Sequence, residues 1–150
     1  MTDYRLITEQ MLALAEESDD PIPVMANVSA LLYNTMADVN WAGFYLVKGE
    51  YLLLGPFQGK PACVKIPKGR GVCGTAWAGD APQLVPDVHA FPGHIACDGA
   101  SRSEIVVPIH AGGEVMGVLD IDSPVPARFD EEDARGLAAL VKAMERVLKN

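Results

Sequence analysis

Three cysteines carry the most distinctive chemistry of the chain: Cys63, Cys73 and Cys97. An odd number is not a disulfide framework, and a chain of 150 residues can build a core without cross-links. Cys97 has small neighbours that permit close approach of a ligand, and His94 or Arg102 would favour its thiolate. Cys63 and Cys73 flank a glycine-rich turn, so either is a candidate resolving thiol. The cysteines therefore indicate redox chemistry or, alternatively, small buried apolar residues.

Zinc is a second use that the cysteines suggest, with His89 or His94 as the fourth ligand. Structural zinc sites use paired ligands two to four residues apart. The chain has no C-x-x-C pair, and among these candidates only His94 and Cys97 are so close. The spacing therefore predicts no metal site.

Three acidic residues interrupt apolar strand patterns: Glu104, Asp120 and Asp122. Asp120 and Asp122 are two positions apart, so extended backbone points both carboxylates to the same face. The predicted hairpin register brings Glu104 to the same end. The three acids then form either a solvated strand end or a pocket for a cation. In such a pocket, neighbouring negative charges would raise the pKa of a general acid.

Two aromatic residues share one face of the first predicted strand. Trp41 begins the strand, and Tyr45 shares its face by the two-residue period. Core packing is one interpretation of this pair. Beside the acids, Trp41 would instead form an apolar or cation-binding wall.

Gly69–Gly74 matches the G-x-G-x-x-G pattern that cradles dinucleotide phosphates at a helix N-terminus. That fingerprint needs a parallel βαβ unit with a long crossover helix. Here Asp80-Ala81-Pro82 ends the following helix after about two turns of 3.6 residues. We therefore expect a turn that lets a short helix start close to the sheet.

Composition and charge narrow the class of protein. The chain carries 12 basic and 20 acidic residues, which gives a formal net charge of −8. This charge disfavours nucleic acid and anionic membranes as partners, but it does not exclude a local basic patch on the surface. Apolar runs are too short for a membrane span. Met1–Arg5 does not begin a signal peptide, so we expect a cytoplasmic protein with reduced thiols.

The hydrophobic pattern predicts one α+β domain over residues 1–150. Two hairpins indicate a largely antiparallel sheet, and three amphipathic helices can cover one of its faces. Thr2 or Asp3 is expected to cap the first helix, and Asp130 to cap the last. The predicted strands are 41–47, 51–57, 62–66, 83–85, 104–110 and 114–121, with a helical stretch around 75–77 and a loop over 86–103.

Five motifs in this order resemble the free methionine-(R)-sulfoxide reductases, a family of GAF-domain proteins. The motifs are Gly71–Ala76, Leu84–His89, Phe91–Asp98, Ser101–Pro108 and Gly117–Ser123. All three cysteines stand at the family's spacing. Gly99 is a slight departure from the family pattern, because a different small residue is expected at that position. The resemblance implies a six-stranded antiparallel sheet with helices packed on it.

The resemblance also implies roles for individual residues. Cys97 stands at the position of the nucleophile, Cys63 at that of the resolving thiol and Cys73 at a third position that takes part in exchange. Five further residues stand at substrate-pocket positions: Trp41, Tyr45, Glu104, Asp120 and Asp122. The implied substrate is free methionine-(R)-sulfoxide, with thioredoxin as reductant and no cofactor or metal.

The implied reaction leaves Cys97 as a sulfenic acid, which Cys63 converts to a disulfide. Glu104 or Asp122 is the expected proton donor. A non-catalytic GAF sensor that binds a small ligand is the alternative, because a fold alone does not decide function. A subunit that serves only in assembly is a third. The amphipathic first two helices are candidates for a homodimer contact.

Overall fold

The computed structural model describes residues 1–95, 97 and 99–148. Four residues named in the sequence analysis lie outside the described residues: Ala96 and Asp98 of the Phe91–Asp98 motif, and Lys149 and Asn150 at the end of the expected domain. The elements in chain order are α1 (Tyr4–Leu14), α2 (Pro21–Thr35), β1 (Trp41–Lys48), β2 (Tyr51–Gly59), β3 (Lys65–Pro67), α3 (Gly71–Gly79), β4 (Gln83–Val85), β5 (Ser103–Ala111), β6 (Glu114–Ser123) and α4 (Glu131–Val147).

The six strands form one sheet in the order β3-β2-β1-β6-β5-β4, and every neighbouring pair is antiparallel. Two tight turns, at Gly49 and at Gly112-Gly113, close the predicted hairpins with positive φ angles that favour glycine. The predicted α+β class and the six-stranded antiparallel sheet are confirmed.

Helices α1, α2 and α4 cover one face of the sheet. Each starts at a capping aspartate: Asp3, Asp20 and Asp130 accept hydrogen bonds from backbone N–H groups of the first turn. Their buried stripes meet alternating strand residues in one apolar core that includes Phe44 and Leu119. The prediction that three helices share one face is confirmed. Leu14, which continues the helical spacing of Ile7 and Met11, is nevertheless exposed.

The opposite face of the sheet carries a second core under α3 and the loop that follows β4. It includes Trp41, Tyr45, Cys73 and Trp77. A 3₁₀ turn at Val88–Ala90, capped by the Asp87 carboxylate, interrupts the loop that showed no regular pattern in the sequence. This face holds the residues whose chemistry the sequence singled out.

Two predicted boundaries were wrong. The third strand is Lys65–Pro67, which forms the regular ladder with Tyr51–Leu53 of β2. Residues 62–64 lead into it, and of these the Val64 carbonyl accepts the Leu54 N–H at 2.9 Å. Helix α3 begins at Gly71 instead of after Gly74, so the glycine-rich motif itself supplies its first turn. Among the described residues, no helix is sufficiently long and apolar to cross a membrane.

Candidate active site

A cavity lies on the second face, where the ends of β1, β5 and β6 meet α3 and the loop after β4. Its lining combines thiols, carboxyls, an imidazole and apolar side chains. The lining residues are Trp41, Tyr45, Ala62, Ile66, Gly71, Val72, Cys73, His94, Ile95, Cys97, Ser101, Glu104, Asp120 and Asp122. Seven of the eight site residues expected from the sequence therefore line this one cavity. The eighth, Cys63, is bonded to Cys97.

Cys63 and Cys97 form a disulfide, with their Cα atoms 5.4 Å apart and 34 residues between them in the sequence. Cys63 lies in the segment before β3, and Cys97 lies in the loop after β4. Both cysteines are half-buried. The structure thus places the two thiols at the mouth of the cavity in their oxidised form.

The loop that carries Cys97 is fastened at both ends to the sheet. The Val88 N–H donates to the Arg102 carbonyl at 2.9 Å, and the Arg102 N–H donates to the Ser123 carbonyl at 2.7 Å. At its start, the Pro86 carbonyl accepts from the Ala127 N–H at 2.9 Å. These bonds hold the two ends of the loop close together, and His94, Ile95 and Cys97 between them line the cavity.

Strand register brings the three acids together. Asp122 on β6 lies opposite Trp41 on β1 and opposite Glu104 on β5. Asp120 follows on the same face, and it and Glu104 are 5% and 7% exposed. The Asp120 Oδ1 atom is buried with no hydrogen-bond partner among the described residues. The cluster is therefore a buried site with a spare acceptor, and the predicted convergence of the three acids is confirmed as geometry.

Burial and mutual repulsion keep protons on this cluster. Burial, followed by the charges of Asp120 and Asp122, raises the pKa of Glu104 well above its ordinary value. Burial also raises the pKa of Asp120, although hydrogen bonds from Glu104 and Asp122 partly offset that rise. Glu104 is accordingly the member of the cluster best suited to hold a proton near neutral pH.

Cys73 belongs to the same cluster. Its Sγ lies 4.0 Å from Glu104 Oε2, and the side chain is buried on α3. Burial, and then the charges of Asp120 and Glu104, raise the pKa of the thiol well above its ordinary value. A thiol in such surroundings stays protonated, so it is a poor nucleophile in this arrangement.

Trp41 and Tyr45 form an aromatic wall of the cavity. The Trp41 indole stacks on Phe57 and on Tyr45, with ring centroids 5.2 and 5.9 Å away. The Trp41 Nε1–H donates to the Lys60 carbonyl, and the Tyr45 hydroxyl donates to the Cys63 carbonyl at 2.9 Å. The wall therefore touches the segment that carries the resolving-position cysteine.

Gly43 makes room for this wall. A Cβ atom there would lie 2.3 Å from the Phe57 Cβ and 2.8 Å from the Trp41 ring. Any side chain at this position would displace one of the two rings. The packing of Trp41 against Phe57 thus depends on a glycine at position 43.

Some cavity residues were missed from the sequence, chiefly Ile95 and Ile66. Gly71, which has a positive φ of 64°, lies against the Ile95 side chain, so the loop seals on the N-terminus of α3. His94, beside Ile95, has its pKa lowered by burial and by the neighbouring His89 ring. The glycine of the G-x-G pattern was the available signal, since it marks a close approach.

The donor atoms of the cluster can also be considered as metal ligands. One atom each of Cys73, Glu104 and Asp120 lie within 4.8 Å of one another. This set differs from the cysteine and histidine set weighed from the sequence, in which Cys63 and Cys97 are now joined to each other. With all described strand pairs antiparallel, the Gly69–Gly74 motif also lacks the parallel βαβ unit of a dinucleotide site.

Comparisons with known proteins agree with this architecture. The GAF domain family model matches residues 20–148. The free methionine-R-sulfoxide reductase of Escherichia coli is 58% identical over 145 residues, covering 97% of this chain and 88% of that protein. The structure of the Staphylococcus aureus fRMsr in its reduced form is 51% identical with a TM-score of 0.95, covering 99% of this chain and 96% of that one.

A second Staphylococcus aureus fRMsr structure, described as a complex with substrate, is 50% identical with a TM-score of 0.93. It covers 99% of this chain and 97% of that one. Both structures therefore share the overall fold of this chain. The chain therefore belongs to the GAF domain family and, within it, to the free methionine-R-sulfoxide reductases.

Proposed function

We propose that this protein reduces free L-methionine-(R)-sulfoxide to methionine, with Cys97 as nucleophile and Cys63 as resolving thiol. One observation carries the proposal: a disulfide joins these two cysteines at the mouth of a cavity whose floor is a buried carboxyl cluster. Thiols at the entrance supply the electrons, and the carboxyls supply the proton that a sulfoxide oxygen needs. The similar Escherichia coli protein is named free methionine-R-sulfoxide reductase, which supports the same chemistry.

In the first step the Cys97 thiolate attacks the sulfoxide sulfur while Glu104 gives its proton to the sulfoxide oxygen. The bond that forms between the Cys97 sulfur and the substrate sulfur is transient, and it breaks as the protonated oxygen moves to the Cys97 sulfur. The sulfur–oxygen bond of the substrate breaks in the same rearrangement, and its electron pair stays on the sulfur of the methionine that departs. Cys97 becomes a sulfenic acid and Glu104 becomes a carboxylate. Glu104 is chosen over Asp122 because burial and both aspartates raise its pKa.

The remaining side chains bind the substrate. Asp120 and Asp122 hold its ammonium group, which accounts for the spare acceptor on Asp120. Trp41, with Tyr45 behind it, packs on the S-methyl group. The substrate carboxylate meets backbone N–H groups of the loop over residues 86–103. A free amino acid offers an ammonium next to its carboxylate, whereas an internal peptide residue does not.

In the second step the Cys63 thiol attacks the Cys97 sulfenic acid, and the two sulfurs join as water leaves. An external dithiol, which we expect to be thioredoxin, then reduces the disulfide by thiol exchange. This cycle uses only side chains of the protein and the external dithiol, so we propose that it requires no metal or organic cofactor. Cys73 remains a protonated neighbour of Glu104 in this cycle.

The sensor alternative makes a different use of the same cavity. A protein that only binds a small ligand needs no pair of thiols joined at its entrance. The Cys63–Cys97 bond therefore favours catalysis over simple binding.

The decisive assay follows separated free R and S sulfoxides with thioredoxin, thioredoxin reductase and NADPH. We expect NADPH oxidation with the R epimer, and less than about one hundredth of that rate with the S epimer. N-acetylmethionine-(R)-sulfoxide, which has no ammonium, is the matched control for the acid cluster. Equal rates on both epimers, or cyclic-nucleotide binding without sulfoxide consumption, would contradict the proposal.

We also propose that residues 1–150 work as one domain in the cytoplasm, where reduced dithiol proteins are available. The chain is a candidate homodimer, because Leu6, Leu14 and Ile22 on α1 and α2 are about half exposed, at 49%, 48% and 58%. Sedimentation of the purified protein tests this, and a monomer at all concentrations would contradict it.

A further inference from the structure

The segment around Cys63 differs in charge from the rest of the molecule. Residues 60–70 contain four cationic side chains and no acidic one, in a chain whose formal net charge is −8. These cations, Lys60, Lys65, Lys68 and Arg70, are called the basic strip below, and all four are exposed. No acidic residue occurs between Glu50 and Asp80 in the sequence.

The basic strip runs along the edge of the sheet beside the disulfide. Lys65 lies on β3, the edge strand, and Cys63 directly precedes that strand. Val64 between them is an exposed apolar side chain, with 61% of its surface accessible. Glu50 borders the strip at its far end, where its carbonyl accepts the Lys68 N–H. Charge and an exposed apolar side chain thus surround the Cys63 side of the disulfide.

The two flanks of the disulfide are unequal. On the Cys97 side, the loop over residues 86–103 contains two aspartates and one arginine. On the Cys63 side, the basic strip provides four positive charges. A negatively charged molecule approaching the disulfide is therefore attracted to the Cys63 side.

An edge strand often carries lysine simply to prevent pairing with other chains. Lys65 fits that use, and its ammonium group lies 5.4 Å from the centre of the Tyr51 ring. Lys68 likewise lies 5.0 Å from the centre of the Trp77 ring. Lys60 and Arg70, however, lie outside β3, so protection of the edge does not account for the whole strip.

We propose that the basic strip is the docking surface for the protein dithiol that reduces this enzyme, and that the partner presents an acidic, partly apolar face around its thiols. The inference rests on the proposed function, because only a catalytic disulfide needs such a partner. Docking on the strip directs the partner's thiolate to the Cys63 sulfur and leaves Cys97 as the leaving thiolate.

The exchange balances in two steps. The partner thiolate attacks Cys63, a mixed disulfide forms, and the Cys63–Cys97 bond breaks with its electron pair on Cys97. The second thiol of the partner, as thiolate, then attacks the partner's first sulfur, which is bonded to Cys63, and releases the Cys63 thiolate. The partner ends oxidised by two electrons, and Cys63 and Cys97 end reduced, ready for another substrate.

The first experiment compares two reductants in the intact protein. The triple variant Lys60→Glu, Lys65→Glu, Lys68→Glu is assayed with thioredoxin and, separately, with dithiothreitol, a small neutral dithiol. We expect kcat/KM for thioredoxin to fall by about tenfold or more, while the dithiothreitol-driven rate stays within about twofold. The wild-type rate with thioredoxin should also fall as salt rises from about 50 to 500 mM, because salt screens the attraction.

The matched control is the triple variant Arg5→Glu, Arg135→Glu, Lys142→Glu. It makes the same change in net charge with exposed residues on α1 and α4, across the sheet from the disulfide. An equal loss in both triple variants, or an equal loss with both reductants, would overturn the docking proposal. Absence of sulfoxide reduction by the wild type with dithiothreitol would instead contradict the proposed function, so the two failures are distinguishable.

A second measurement identifies the sulfur that is attacked. Thioredoxin whose second active-site cysteine is replaced by serine traps the mixed disulfide, which peptide mass spectrometry then locates. We expect the partner on Cys63. A mixed disulfide found on Cys97 would overturn the proposed direction of approach.

Discussion

The two faces of the sheet use the same strands for opposite purposes. On the helix-covered face, Phe44 and Leu119 are fully buried in an apolar core beneath α1, α2 and α4. On the other face, Trp41 and Asp120 line the cavity. Each lies an odd number of residues from its counterpart on the same strand, Trp41 from Phe44 and Asp120 from Leu119, and therefore points to the opposite face. Asp120 follows Leu119 directly, yet one is surrounded by hydrocarbon and the other by carboxyls.

This difference shows how the molecule separates stability from chemistry. The helix-covered face gains free energy by burying apolar area without polar groups. The site face instead buries Glu104 and Asp120, whose charged forms are disfavoured there. The first face therefore offsets the cost of the second, and substitutions on the two faces should differ in kind.

The largest effect is expected on the site face at its mouth. Cys97→Ser should lower the rate of sulfoxide reduction by about 10⁴-fold or more, since the nucleophile is lost. Cys63→Ser should still release one methionine per enzyme, because the first step does not need the resolving thiol. Quench-flow with product analysis measures both. Multiple turnovers by Cys97→Ser with thioredoxin would contradict the assignment of the nucleophile.

Adjacent residues on β6 test the comparison of faces directly. Leu119→Ala should lower the free energy of unfolding by about 3 kcal/mol, because it leaves a cavity in the apolar core. Asp120→Asn should not lower that free energy, because the charged carboxylate is disfavoured in the cluster, and it should raise KM for the sulfoxide. Urea unfolding and steady-state kinetics measure the pair. The comparison fails if Asp120→Asn destabilises the protein as much as Leu119→Ala does.

A smaller effect concerns the pH dependence of stability. The pKa of Glu104 is raised in the folded protein above its ordinary value of 4.5, so ionisation of this group favours unfolding as pH rises past that value. Glu104→Gln should therefore raise Tm by about 3 °C at pH 8 and leave it unchanged at pH 4. Calorimetry at the two pH values checks this. An equal shift at both would show that repulsion among the acids is not the cause.

The smallest effect lies at the end of the hairpin away from the cavity, where His110 is placed between two carboxylates. His110 Nε2 is 2.6 Å from Asp80 and Nδ1 is 3.1 Å from Glu145, and the hydrogen bonds that the ring donates, chiefly to Asp80 and also to Glu145, raise the pKa of His110. Stability from this group is present below pH 6.5 and is lost as pH rises through the raised value.

His110→Gln should thus lower Tm by about 1–2 °C at pH 6 and not at pH 9, because the pair is partly exposed and solvent screens it. The same calorimetric series measures it. A loss that is independent of pH would indicate packing in place of charge. Sulfoxide reduction should be unaffected by this substitution at either pH.

Several features of the fold were predictable because they depend on neighbouring residues. The two-residue period placed Asp120 and Asp122 on one face, and glycine turns fixed the two long hairpins. Asp130 was recognisable as a cap because its carboxylate bonds to the N–H three residues on. The start of β3 was not predictable, because a three-residue edge strand is defined by its partner Tyr51–Leu53 and not by its own pattern.

The site residues divide in the same way. The acids and Trp41 follow from strand register, which local sequence encodes. The pairing of Cys97 with Cys63 instead spans 34 residues and a loop without regular period, so residue spacing left both Cys63 and Cys73 open and only the family resemblance preferred Cys63. Ile95 was missed because its contact with Gly71 exists only when that loop folds back.

The sequence by itself determined the α+β class, the two hairpins, the shared face of the acids and the supply of thiols, since each depends on residues close together in the chain. Tertiary structure decided that the loop with Cys97 lines the cavity, that Cys73 lies buried 4.0 Å from Glu104, and that α3 seals the site. The physical reason is that buried charge and thiol reactivity depend on which distant groups exclude water. Those groups become neighbours only when both faces of the sheet have packed.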